Sequence, residues 1–456
     1  MPSETCWALP SGTQFFCTSS TIKLYQTLLG SLVFQMNILW QNEHYPDIIK
    51  GGGGAINTYY IVRSLQTLGH RALILARSLN GEALVDDRFR ETSILRVQKP
   101  KMPAKLWPLW PFLDSFYLKR TVADIGRAFD GFVCIDAGYA LAIKRQFPER
   151  RVVYRVEGSA KSHLAAVPAP APERPLLLHE RKAHAVQQMT IYLNDLADQL
   201  AWKKCDALVV KSEFMKHELV SLYNVRPEKI HVIPNGVDYA RYASATTNPA
   251  VMEQLGNNGA RKVVIVYTGR LVRMKNVSFL LHAFTKMRNK ELCSLVILGE
   301  GDERANLERE AKELGIAEDV RFLGHSDLVE QYLAAADIFV LPSTYEPFGN
   351  ALVEAMAAGL PSLALKPDGK RVRTASAEII QDGCSGYLVD SANAAELACR
   401  LDALATDANL RKELGKRGQE ICRARFNWLR CAAEYVHLLT ASTKPQGVLG
   451  ATERAA

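Results

Sequence analysis

Two acidic residues in Glu-x7-Glu spacing, Glu346 and Glu354, enclose the run Pro347-Phe348-Gly349-Asn350-Ala351-Leu352-Val353. Ionised carboxylates only accept hydrogen bonds, so such a pair suits the hydroxyls of a sugar and a ribose. The run leads into a helix-like stretch, 351–358. The amides of Phe348, Gly349 and Asn350 at its start lack partners within a helix and can meet a phosphate. The same carboxylates would serve equally as caps that favour the helix dipole. A second pair, Arg270 and Lys275, stands in Arg-x4-Lys spacing within Gly269-Arg270-Leu271-Val272-Arg273-Met274-Lys275-Asn276. Arginine offers a planar fork and lysine a mobile point charge, so together they suit a diphosphate leaving group and the charge developing on it. The alternative is a solvated basic loop, the reading given to Arg273.

These side chains need a scaffold, and the chain alternates short apolar runs with longer helix-like stretches, the order of parallel α/β layers. A first series of strands is expected at 37–40, 71–76, 132–136, 152–156, 207–210 and 230–233. Gly51-Gly52-Gly53-Gly54 reads as a loop before a helix over 55–68, with Gly69 at its C′ position. Glycines there let the backbone approach a phosphate, with Gly53 and Gly54 as the candidate contacts, and a flexible turn is the other explanation. The small, polar stretch 239–261 reads as a linker, and a second series of strands follows at 263–267, 295–298, 320–323, 338–341, 361–365 and 387–389. The expected fold is α/β, with two Rossmann-like doubly wound domains facing a central cleft. An N-terminal extension over 1–35 precedes a first domain over 36–240, a second over 241–440 and a flexible tail over 441–456. Ligands of such sheets bind beyond the carboxyl ends of the strands, which makes the cleft the expected site.

Composition narrows the classes. The 456 residues are 48% apolar and 23% charged, which suits two or three cored domains and excludes a disordered, collagenous or small disulfide-stapled chain. Lys+Arg 56 against Asp+Glu 48 gives a formal charge of +8, a bias toward phosphate-bearing ligands or an anionic membrane surface. The cysteines are odd in number and scattered, with no C-x-x-C spacing, so neither a disulfide framework nor a zinc site is indicated and a reducing cytoplasm fits. The apolar stretch 24–34 falls well short of the ~20 residues that span a bilayer, and no convincing cleavage pattern follows it. Met36 stands immediately before the first strand, so the preceding residues are expected to be dispensable. The patch from Lys101 to Leu113, with Trp107 and Trp110 among lysines, reads either as a packed connection or as a lipid or acceptor contact. Its three prolines exclude a regular amphipathic helix.

With both motifs placed, the chain resembles the retaining GT-B glycosyltransferases of group 1, also called family 4. Besides Arg270-x4-Lys275 and Glu346-x7-Glu354, the likeness rests on Leu298-Gly299-Glu300-Gly301, Val320-Arg321-Phe322-Leu323-Gly324 and Pro342-Ser343-Thr344-Tyr345. Asp382-Gly383-Cys384-Ser385-Gly386-Tyr387-Leu388-Val389 and Ile233-Pro234-Asn235-Gly236-Val237-Asp238 extend it. Position by position, the resemblance implies that Arg270 and Lys275 hold the donor diphosphate, Glu354 accepts from the nucleotide ribose and Glu346 lies beside the transferred sugar. Phe348, Gly349 and Asn350 would supply the amide cradle, and Gly53 and Gly54 would approach the same phosphates. Two departures stand out. Arg155-Val156-Glu157-Gly158 occurs where many relatives have histidine, which makes Glu157, together with Asp136, a candidate for acceptor binding or proton chemistry. The connection Lys366-Pro367-Asp368-Gly369-Lys370-Arg371-Val372-Arg373 is longer and more basic than usual and reads as an exposed loop in preference to an acceptor contact.

The expected function is sugar transfer from a nucleotide-diphosphate sugar to an acceptor hydroxyl with retained configuration, in polysaccharide, lipopolysaccharide or glycolipid synthesis. No cofactor and no metal are expected: the chain has no D-x-D motif, and fixed cations would do a metal's work. The expected partners are the nucleotide sugar and a glycan or lipid-linked acceptor, without nucleic acid. The expected location is cytoplasmic, with a peripheral contact at the inner membrane. The competing readings are a GT-B sugar-phosphate synthase or phosphorylase, and an inactive GT-B glycan-binding or scaffold protein. The intact charges of Arg270, Lys275, Glu346 and Glu354 count against the last, and Glu157 counts for it.

Overall fold

The computed structural model describes residues 35–42, 48–78, 94–98, 109–161, 178–255 and 262–441. Positions 1–34 of the expected extension over 1–35, positions 101–108 of the tryptophan-lysine patch and the tail from 442 lie outside the described residues.

Two sheets organise the chain. The first contains β1 (Asn37–Gln41), β2 (Arg71–Ser78), β3 (Ile94–Gln98), β4 (Gly131–Cys134), β5 (Arg151–Arg155), β6 (Ala207–Val210) and β7 (Ile230–Val232), in the order β3-β2-β1-β4-β5-β6-β7. The second contains β8 (Val263–Thr268), β9 (Cys293–Leu298), β10 (Val320–Gly324), β11 (Ile338–Leu341), β13 (Ser362–Leu365) and β15 (Gly386–Val389), ordered β10-β9-β8-β11-β13-β15. Every pairing in both sheets is parallel, as in Asn37↔Arg71 and Val263↔Cys293. A separate two-stranded ladder joins β12 (Tyr345–Glu346), which follows β11, to β14 (Arg373–Thr374), which follows β13. The expected two Rossmann-like domains of the GT-B type are what the chain forms. β3 and the β12–β14 ladder fall outside the strands expected from the sequence; the two-residue strands β12 and β14 have too little period to register.

Both faces of each sheet are covered by helices, so the strands are nearly continuous apolar runs. The pleat still sorts them: Ile38 and Trp40 of β1 enter one core cluster and Leu39, between them, enters another. The helix Ile48–Thr67 lies on the Trp40 side with Ala55, Tyr59, Ile61, Val62 and Leu65 in that core. This helix corrects the sequence reading, since Gly51 to Gly54 belong to its first turns and not to a preceding loop. Four glycines cost a helix roughly 1 kcal/mol each relative to alanine, and the apolar face packed behind them outweighs that loss.

The C-terminal helix Trp428–Thr440 departs from the expected division of the chain. Trp428, Cys431, Ala432, Tyr435, Val436, Leu438 and Leu439, one face at helical spacing, are buried in the first domain's core, where the Trp40 and Tyr435 rings meet edge-on at 4.9 Å. The chain thus returns to the first sheet after completing the second.

Candidate active site

The site lies where the carboxyl ends of β8 and β11 meet the first domain. After Thr268 the chain turns through Gly269 and exposed Arg270 into a short 3-10 turn, Arg273–Lys275. The backbones pack so closely here that a Cβ on Gly299 would stand 1.9 Å from the Gly269 carbonyl oxygen, which no side chain tolerates. The Thr344 amide donates to the Met274 carbonyl at 2.8 Å, tying the basic loop to the approach to the acidic motif. Lys275 Nζ consequently forms an ion pair with Glu346 Oε2, the two side chains being 15% and 16% exposed. Lys275 and Glu346 thus share one corner of the cleft, and Arg270 stands on the same loop as Lys275, its carbonyl accepting from Tyr267 Oη at 2.9 Å.

Gly349, at φ 111°, caps the helix Asn350–Ala357 in a conformation open to glycine. The Phe348 side chain is buried and meets Phe426 edge-on at 5.7 Å, so only its backbone is available to a ligand. Asn350 is already engaged. Its side-chain nitrogen donates to Asn57 Oδ1 at 3.2 Å and its oxygen accepts from Asn235 Nδ2 at 2.8 Å. Both partners belong to the first domain, so this helix start faces the opposite wall of the cleft. Gly54 lies on that wall: a Cβ built on it would be 3.9 Å from Glu157 Oε2.

Glu354 occupies a separate environment on the same helix. Burial pushes its carboxyl up to about 7, against the pull of Arg241 and a hydrogen bond from Tyr242. Arg241 itself is paired to Glu330 at 2.8 Å. A carboxyl half-protonated near neutrality both donates and accepts, which matches a vicinal diol better than a permanent anion would.

The two first-domain candidates for proton chemistry are accounted for differently. Asp136 caps the helix Ala137–Gln146, accepting from the Tyr139 amide at 3.3 Å, while its own amide donates to Gln41 Oε1. Glu157 is held between Arg155 Nε at 2.6 Å and Lys211 Nζ. Burial alone would raise its carboxyl, but Lys211 and Arg155 outweigh burial and bring it to about 2. A carboxylate at that value holds no proton to exchange at neutral pH and makes a poor general base. Buried Arg155 spends its other donors on Tyr435 Oη at 3.0 Å and Asn235 Oδ1 at 2.7 Å. The chain Glu157–Arg155–Asn235–Asn350 therefore runs unbroken across the cleft. Arg155, Asn57 and Lys211, which build and flank it, are not among the site residues expected from the sequence. Asn235, inside Ile233-Pro234-Asn235-Gly236, and Arg155, inside Arg155-Val156-Glu157-Gly158, do stand in stretches that the sequence singles out.

Residues 51–241 match the family described as Glycosyltransferase Family 4, and residues 250–421 match Glycosyl transferases group 1. Over 269 residues the chain is 28% identical to an uncharacterised glycosyltransferase of Methanocaldococcus jannaschii, covering 58% of this chain and 64% of that one. It is 32% identical over 182 residues to the lipopolysaccharide core biosynthesis glycosyltransferase LpsE of Rhizobium meliloti, covering 40% and 50%. The matches thus span from half to just under two thirds of the length of these relatives. Among solved structures, HepE of Anabaena in complex with UDP and glucose shares the fold, with a TM-score of 0.66 at 20% identity, covering 89% of this chain and 99% of that one.

Proposed function

We propose, for a chain that belongs to the GT-B glycosyltransferases of group 1, that it transfers a sugar from a nucleotide-diphosphate donor to an acceptor hydroxyl with retained anomeric configuration. The observation that carries this reading is the meeting of Lys275 and Glu346 beside the capped start of Asn350–Ala357, opposite the first domain. The helix amides and the two cations receive the diphosphate, and Glu354 receives the ribose hydroxyls. On donor binding Lys275 turns from Glu346 to the phosphate oxygens, and the released carboxylate takes hydrogen bonds from the sugar. As the acceptor approaches from the face the leaving group occupies, Arg270 and Lys275 neutralise the charge building on the departing diphosphate. The acceptor proton passes to that phosphate oxygen. Glu157, fixed as an anion, orients hydroxyls but moves no proton, and no side-chain nucleophile is needed.

The acceptor proposed is a glycan or a lipid-linked glycan. The relative LpsE is described as acting in lipopolysaccharide core biosynthesis. In this chain Val186, Met189, Tyr192, Leu196 and Leu200 form an exposed apolar ridge on the helix Leu178–Lys204, suited to a lipid-bearing acceptor at a membrane face. No helix among the described residues is long and apolar enough to cross a membrane.

Incubating the purified chain with a panel of nucleotide sugars, alone and with lipid-extracted or oligosaccharide acceptors, tests the reading. Release of free nucleoside diphosphate from one donor, and a product whose anomeric proton coupling matches that donor's, is the expected result. An inverted anomer contradicts retention. Absence of both turnover and thermal protection with every nucleotide sugar contradicts the donor site itself.

A further inference from the structure

The basic connection 366–373 ends in a residue that is not on an exposed loop. Arg373 lies on β14, in register with Tyr345, so that Glu346 is paired to its neighbour Thr374. Its guanidinium reaches Glu218 Oε1 of the helix Glu213–Tyr223 at 2.6 Å, and the two side chains are 12% and 4% exposed. That helix belongs to the first domain. Four further hydrogen bonds cross between the domains at the same place. The Glu378 carboxylate accepts from the Glu213 and Phe214 amides at 2.8 and 2.7 Å. The Ser212 hydroxyl donates to the Pro347 carbonyl at 2.7 Å, and the Ser159 amide donates to Tyr345 Oη at 3.3 Å.

The first turn of Glu213–Tyr223 is therefore capped by two chemistries. Its own Ser212 takes the Met215 amide, and a carboxylate from the opposite domain takes the two amides that Ser212 does not. All of the second-domain partners sit on the acidic-motif strand β12, the loop after it, β14 or the segment β14 leads into. A shift of the first domain by one side-chain length breaks a nearly dry ion pair and uncaps a helix together, so the contacts hold or fail as a group.

We propose that Arg373, with Glu218 and Glu378, forms an interdomain clasp that positions Glu346 for transfer. The proposal rests on the assignment of Glu346 to the sugar. Arg373 and its partners act through β12 and are positioning residues: none is placed against donor or acceptor. The nucleotide is assigned to the second domain, so the clasp governs the transfer step more than nucleotide affinity.

The test uses the full chain, with Arg373→Ala, Arg373→Lys and the charge exchange Glu218→Arg with Arg373→Glu. Hydrogen exchange at the Glu213 and Phe214 amides reads the clasp without any substrate. Arg373→Ala should speed exchange at both about tenfold or more while core amides of β5 and β8 stay unchanged. Titration with UDP should show an affinity within about twofold of the parent, while kcat with the donor found active falls about tenfold or more. Arg373→Lys and the charge exchange should each restore part of both losses. Should Arg373→Ala fail to fold, the paired Glu218→Gln, Arg373→Gln variant removes both charges together and carries the same expectation. Unchanged exchange at Glu213 and Phe214, or unchanged kcat in a variant whose exchange is accelerated, overturns the proposal. If no donor is turned over at all, the assigned reaction fails while the exchange measurement still decides whether the clasp exists.

Discussion

Replacing Lys275 separates a structural from a chemical role at one atom. Its ammonium is paired to Glu346 with both side chains about 15% exposed, between a surface pair and a fully buried one. Surface pairs contribute ~0–1 kcal/mol, and breaking a buried pair costs ~3–5 kcal/mol because a charge is left unpaired. Lys275→Ala should therefore destabilise the second domain by about 2 kcal/mol, a lowering of its melting temperature by roughly 4–8 °C. Loss of transfer should be larger than any such packing effect, ~3–4 kcal/mol or about a hundredfold and more, because the cation acts on charge that exists only as the leaving group departs. The double variant Lys275→Ala, Glu346→Gln distinguishes the two. Removing the orphaned carboxylate should recover most of the lost stability and none of the rate. Calorimetric melting and single-turnover kinetics on the parent, both single variants and the double variant complete the cycle. Recovery of rate in the double variant would mean that Lys275 works only by neutralising Glu346, and the assignment to the diphosphate would fall. That assignment falls equally if Lys275→Ala melts normally and turns over near the parent rate.

Glu354 should make stability pH-dependent: its carboxyl ordinarily titrates at 4.5 and burial raises it to about 7, so its contribution is present below the ordinary value and lost as pH rises through 7. Glu354→Gln should therefore gain ~3 kcal/mol on the parent between pH 4 and pH 8, and parallel melting curves across that range would contradict it. The same substitution should weaken binding of bare nucleoside diphosphate, whereas Glu346→Gln should leave that binding equal or tighter while transfer falls. Equal calorimetric losses for both would refute the division of roles. Glu157→Gln should lower transfer without moving the apparent pKa values of the pH–rate profile, since its carboxylate is held at about 2; disappearance of an acid limb would show it to be a base after all. Glu157→His should not restore activity, because Arg155 and Lys211 require an anion between them. Transfer should persist in excess chelator, with Arg270 and Lys275 as the cations at the leaving group, and full loss restored by magnesium or manganese would overturn that chemistry.

Local patterns made the scaffold legible. Strands such as Val263–Thr268 and Ile338–Leu341 are β-branched or aromatic runs bounded by turn residues, and a buried parallel strand needs little more. Arg270, Lys275, Glu346 and Glu354 were legible for a similar reason. Each sits a fixed short distance along the chain from a strand end or a helix start, so its type and spacing already imply where it is presented. Contacts made by residues far apart in sequence had no such signature. The Glu157 carboxyl, a candidate for proton exchange by its sequence position, is set by Arg155 beside it and by Lys211 on another strand's end, and only their convergence lowers it to about 2. Gly51 to Gly54 read as a loop because glycine disfavours helix locally. Packing of Tyr59, Val62 and Leu65 against β1 and the C-terminal helix supplies the opposing free energy. The final helix shows apolar spacing in its sequence, but nothing in that spacing says which of two sheets it covers. Trp40, Gly131 and Gly236, which meet Tyr435, Leu439 and Trp428, decide it. The sequence thus specified the elements and the charges they present, through short-range period and propensity. Tertiary structure decided which charges meet, because burial and pairing depend on neighbours that only the folded chain brings together.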